Sequence, residues 1–136
     1  PYNISWKQHG HIILIIFEGV VTLDEMRVQL EETIALSETV DTPLVHTIVD
    51  SLNVVQFPKN IKDYQKIYDK KAHNVGWTIF VTENRLLKFF STIVTNFTSV
   101  RFASVSSMHE AMEFISARDA AVYYGDNRPT TEFKQL

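Results

Sequence analysis

The chain has 136 residues, 45% of them hydrophobic and 21% charged, with a net charge of −3 and a pI near 5.9. That is one domain with enough apolar side chains for a core, which excludes the disordered and fibrous classes and leaves no overall basic field for a nucleic-acid backbone. There are no cysteines, so disulfides, thiolate metal sites and cysteine nucleophiles are excluded as well.

Residues 4–7 and 12–17 read as two strands around Gln8-His9-Gly10-His11, a polar break whose glycine suits a hairpin turn, and the pair is expected to be antiparallel. The second strand, Ile12-Ile13-Leu14-Ile15-Ile16-Phe17, is apolar without alternation, the pattern of a strand covered on both faces. At six residues this longest apolar run is far short of the about 20 a membrane helix needs. After Gly19, Thr22-Leu23-Asp24-Glu25 is a capping box. Leu23, Met26, Leu30 and Ile34 follow at helical spacing as the expected inward stripe, and the helix should end near Ser37, ahead of Pro43. Residues 44–49 are the third strand, ending in Asp50.

Residues 51–59, with Phe57-Pro58, read as a loop. A second helix is expected over 60–71 with Ile61, Tyr64, Ile67 and Tyr68 on one side. Lys62, Lys66 and Lys70, with Lys59 just before, form a basic stripe opposite, either a solvated face or one turned to an anionic partner. Residues 77–81 are the fourth strand, Glu83-Asn84 cap a third helix over 85–96, and 100–103 are the fifth strand. In the third helix Leu86, Leu87, Phe89, Phe90, Ile93, Val94 and Phe97 cover more than one stripe, which deep burial, a homodimer seam or a hydrophobic ligand pocket would each explain. Ser107-Met108-His109-Glu110 is a second capping box, opening a fourth helix with Met108, Ala111, Met112 and Ile115 inward. The segment 118–136 shows no core pattern and reads as a helix extension or flexible tail after a domain at 1–117.

The resulting order, β-β-α-β-α-β-α-β-α, predicts an α/β fold: a five-stranded, mostly parallel sheet with an antiparallel first strand. The loops after strands two to five should share one rim, where open α/β sheets place ligands. Glu18-Gly19, Asp50-Ser51, Thr82-Glu83-Asn84 and residues 104–107 belong there. The four glycines are too scattered for a phosphate-binding loop, no Gly-x-Ser-x-Gly elbow is present, and no carboxylate pair stands out. Asp50 suits a loop cap that accepts main-chain amides better than a catalytic acid. His9 and His11, with His46, could gather imidazoles, but they straddle a turn glycine without a carboxylate motif, so no metal site and no cofactor are expected. The chain is predicted not to be an enzyme. With no basic and apolar leader at Pro1-Tyr2-Asn3-Ile4-Ser5-Trp6, it is expected in the cytoplasm.

The opening hairpin, Gly19-Val20-Val21-Thr22-Leu23-Asp24-Glu25 leading into the first helix, Thr47-Ile48-Val49-Asp50 and the loop ending in Phe57-Pro58 together resemble the STAS superfamily, and more closely its SpoIIAA-like branch of small bacterial proteins, over about residues 4–116. In anti-sigma factor antagonists of that superfamily a phosphorylatable serine opens the second helix. The matching stretch here, Phe57-Pro58-Lys59-Asn60-Ile61, has no hydroxyl, and Ser51 lies too early, beside the strand end. The resemblance therefore implies a regulatory protein-interaction module without the phosphorylation switch, its partner a second copy or another regulatory protein. The alternative it implies is a carrier or sensor of a small hydrophobic or anionic ligand. The candidate surface for either comprises Asp50, Ser51, Phe57, Lys62, Tyr64, Tyr68, Leu87, Phe90 and Val94.

Overall fold

The computed structural model describes residues 1–67, 72–85 and 100–122, and the structural statements below concern those residues. The elements are β1 (Tyr2–Gln8), β2 (Ile12–Val20), α1 (Leu23–Ser37), β3 (Val45–Gln56), α2 (Ile61–Ile67), β4 (Val75–Val81), β5 (Arg101–Val105) and α3 (Met108–Ser116). One sheet runs β1-β2-β3-β4-β5, with β1 antiparallel to β2 and every other neighbour pair parallel. Gly10 makes the opening turn at φ 78°, a conformation that favours glycine, and the His11 amide closes it on the Gln8 carbonyl at 3.0 Å. Apart from Arg85, the helix expected over 85–96 lies outside the described residues, and with it Leu87, Phe90 and Val94; Tyr68 of the second helix does too.

β2 lies inside the sheet, and its two sets of alternating side chains supply two cores. Ile13, Ile15 and Phe17 pack with Val49, Met26, Tyr64, Phe80 and Phe102 on the side of α1 and α2. Ile12 joins Ile48, Ile79 and Val81 against Ala111, Met112 and Ile115 of α3 on the other. Fully burying one such side chain is worth about 1.5–3 kcal/mol, so this strand alone accounts for a large share of the fold's cohesion.

Two sequence expectations are corrected. In α1 the side chains that bury are Met26, Gln29, Thr33 and Ser37, while Leu23, Leu30 and Ile34 are half-buried. The helix is turned by part of a rotation because its apolar stripe is shared between the sheet and α2, and the small Thr33 and Ser37 let its backbone approach the strands. Two of its buried polar side chains bond within the helix: the Gln29 amide nitrogen donates to Thr33 Oγ1 at 2.7 Å and the Thr33 hydroxyl to the Gln29 carbonyl at 2.9 Å.

The second correction concerns β3, which does not stop at Asp50 but runs on to Gln56. β2 remains extended to Val20 and offers a paired edge, so that Glu18, Gly19 and Val20 align with Asn53, Val54 and Gln56. Register shifts between Ile16 and Glu18, and again between Gly19 and Val20, absorb the extra residues of β3 as bulges. β4 follows β3 only to the Asp50–Val81 pair. The last third of β3 and the end of β2 therefore project beyond the rest of the sheet as a two-stranded ribbon.

Candidate functional site

The rim at the carboxyl ends of the strands holds a pocket of about 280 Å³ lined by Ser51, Val54, Val55, Gln56, Phe57, Pro58, Lys59, Tyr64, Thr82 and Asn84. Four elements bring these together: the outer part of β3, the short loop into α2, α2 itself through Tyr64, and the turn after β4. Tyr64, buried on α2, donates its hydroxyl to the Pro58 carbonyl at 2.5 Å and so holds that loop against the helix. Phe57 packs edge-on to Phe17 with ring centres 6.0 Å apart. The loop is tied to the helix start by Asn60, whose side chain accepts from the Lys62 amide at 3.0 Å. Across the pocket, Thr82 Oγ1 accepts from the Asn84 amide at 3.0 Å.

Of the sequence candidates, Ser51, Phe57 and Tyr64 meet in this pocket. Lys62 is exposed on the first turn of α2, beside it but not among its lining residues. Asp50 is also outside the lining; its Oδ1 accepts from the Leu52 amide at 3.1 Å, a local cap. Val54, Val55 and Gln56 lie in the stretch 51–59 that reads as a loop in sequence and is strand as far as Gln56 in the structure. The signal was there in Val54-Val55, a β-branched pair that prolongs the strand pattern past Asn53. The ribbon carries exposed apolar side chains: Val20 at 54%, Leu52 at 45% and Val55 at 79%.

Two other concavities lie on the α1 side. A groove of about 620 Å³ between α1 and α2 has Leu23, Leu30, Ile34 and Ile67 as its apolar lining and Asp24, Arg27, Glu31, Asp63 and Lys66 as its charged lining. Beneath α1, a narrow cavity bounded by Gln29, Thr33, Thr47 and Thr78 encloses only about 30 Å³. Gln29 Oε1 is buried there without a hydrogen-bond partner. A cavity of that size is on the scale of one water, far too small for a lipid chain.

Sequence reading missed a polar pair at the opposite end of the sheet. His46, 1% exposed, bonds Asp119 through Nε2 at 2.8 Å and accepts the Trp77 main-chain amide on Nδ1 at 3.0 Å. An amide only donates, so Nδ1 has no proton and Nε2 carries it. Burial, helped by nearby Arg101 and His11, holds the His46 pKa below the usual imidazole value against the opposing pull of Asp119. Burial alone would raise the Asp119 carboxyl, but bonds from His46 and the Ala121 amide bring it below its ordinary range. Both ring nitrogens are thus engaged, and the His9, His11 and His46 imidazoles do not form a ligand set; among the described residues no group of three or more His, Cys, Asp or Glu could hold a metal. The pair is a structural tie, invisible in sequence because its members lie 73 positions apart.

No protein-family model matches the chain, and no curated protein matches it in sequence. Among solved structures it is similar to an uncharacterized protein of the DUF3478 family with a SpoIIAA-like fold from Shewanella loihica PV-4. The TM-score is 0.61 at 13% identity, over 84% of this chain and 91% of that one. The expected SpoIIAA-like fold is therefore observed, and the likeness extends to the fold alone. Among the described residues no helix is long and apolar enough to cross a membrane.

Proposed function

We propose that this SpoIIAA-like chain is a non-catalytic regulatory module that engages a partner protein through the rim at the carboxyl ends of its strands. The observation that carries the reading is the projecting β2–β3 ribbon, which sets the exposed Leu52 and Val55 beside a preformed pocket. Apolar side chains grouped on a projecting ribbon beside a pocket are what an interface uses. In the pocket the Tyr64 and Thr82 hydroxyls are turned to holding the backbone, and among the described residues its lining supplies no base, nucleophile and oxyanion donor in one place. Where the anti-sigma factor antagonists carry a phosphoacceptor, Asn60 caps the helix, which supports association without that switch.

The test is site-specific photo-crosslinking from the full chain in its own host, with p-benzoylphenylalanine in place of Val55. The expected result is one protein adduct of defined mass that is absent when the probe replaces exposed Glu38, at the carboxyl end of α1. The same adduct pattern from both positions would overturn the reading. A second reading, a carrier of a small hydrophobic or anionic ligand, is favoured by the apolar lining and charged border of the α1–α2 groove. It requires a stoichiometric small-molecule adduct in the native mass spectrum, and a mass equal to that of the bare chain or its oligomers would exclude it.

A further inference from the structure

We propose that the edge of β3 between Leu52 and Gln56, which no described strand pairs on the β4 side, receives an extended, acidic peptide segment of the partner, which joins the sheet as a short added strand over the pocket. This rests on the rim reading above and specifies its partner. The warrant is the mismatch in length between neighbouring strands. β2 accompanies β3 as far as the Val20–Gln56 pair, but the pairing of β3 with β4 ends at Asp50–Val81. Beyond Val81 the chain turns away, with the Thr82 amide on the Val105 carbonyl at 2.9 Å and the Asn84 amide on Thr82 Oγ1. From Leu52 to Gln56, β3 thus has a strand on one side, and among the described residues none on the other.

Successive residues of a strand turn their main-chain groups to opposite sides, so a share of the N–H and C=O groups in this stretch face the side without a described strand; the Leu52 amide, already donated to Asp50 Oδ1, is not one of them. Such groups are a ready template for a further strand, and peptide recognition by strand addition uses them for affinity and the flanking pockets for selectivity. Here the pocket lies along that open edge, lined both by Val54 to Gln56 and by Thr82 and Asn84 of the turn where β4 departs. An added strand would run in the line that β4 vacates.

The bulges of the ribbon and Pro58 limit the pairing length: at about 3.3 Å per residue the edge accommodates roughly three to five residues. That suits a short segment and disfavours an open-ended sheet of copies. The sign of the partner follows from charge. Lys59 is the one charged side chain among the described residues lining the pocket, and Lys62 is exposed just beyond it on α2. An acidic side chain at the pocket end of the peptide would meet both.

The experiment uses the full chain and a displayed library of random heptapeptides. Enriched peptides are expected to carry an acidic residue among β-branched ones. N-methylation along the best of them should abolish binding at alternate positions and spare those between, and amide exchange should slow within residues 52–57. The exposed-site variant Lys59→Glu should bind it roughly five- to tenfold more weakly. The proposal is overturned if no peptide is enriched, if N-methylation has no two-residue period, or if the selected peptides bind Lys59→Glu equally well. A Val55 photo-adduct obtained alongside any of these would leave the rim as an interface and remove only the added strand.

Discussion

Gly76 shows how tightly His46 is enclosed: a Cβ built there would lie 2.5 Å from Nδ1 and 2.7 Å from Cε1 of the ring. Gly76→Ala must therefore displace a ring held at both nitrogens, and we expect a loss of about 1–3 kcal/mol in equilibrium urea unfolding. The same ring makes stability depend on pH. Below about pH 6.5 the unfolded chain takes up a proton on His46 that the folded chain resists, so this contribution is complete above that pH and declines as pH falls toward the lowered folded value. Asp119 acts in the same direction at lower pH, its contribution being present above about pH 4 and lost as pH falls through its own lowered value. The urea midpoint should drop between pH 7.5 and 5.5, and His46→Gln should flatten that drop; equal slopes for the two proteins would refute the assignment. None of this was legible in the sequence, since a histidine in a strand reads the same whether its ring nitrogens meet water or a distant carboxylate.

At the scale of elements, the helix starts were legible almost to the atom. The Glu25 amide donates to Thr22 Oγ1 at 3.1 Å and the Thr22 amide to Glu25 Oε1 at 3.2 Å, the reciprocal box expected from four residues. At α3 only half of the second box forms: Ser107 Oγ accepts from the Glu110 amide, while Glu110 Oε1 accepts from Ser106 instead. Thr22→Ala and Ser107→Ala should each cost about 1 kcal/mol at unchanged denaturant slope. Strand ends were less legible, because whether a chain stays extended past its apolar run is decided by its neighbour. The ribbon offers a paired test. Val54 packs against the α1-side core and Val55 does not, so Val54→Asp should cost roughly 2 kcal/mol while Val55→Asp stays within about 0.5 kcal/mol of the parent. Similar losses for both would mean that the outer part of β3 is not held as described.

Over the whole molecule, the two sheet faces are closed by different means. On the α3 side the chain remains on the domain beyond its helix: Asp119 reaches His46 and Val122 is buried against the core around Ile48 and Ile79. Ending the chain after Ala117 would leave the His46 Nε2 proton buried without an acceptor and would uncover that core, at a cost on the order of 3 kcal/mol by thermal or urea unfolding. A truncated chain as stable as the parent would refute this role for residues 119–122. What the sequence by itself determined was the order of the described elements, the antiparallel opening hairpin, the otherwise parallel sheet and the caps of α1 and α3, because period, turn glycines and capping residues act over a few positions. Only the tertiary structure decided which stripe of α1 turns inward, how far β3 outruns β4, and that His46 meets Asp119. Each of these depends on the facing surface of another segment, and no local pattern encodes what that surface will be.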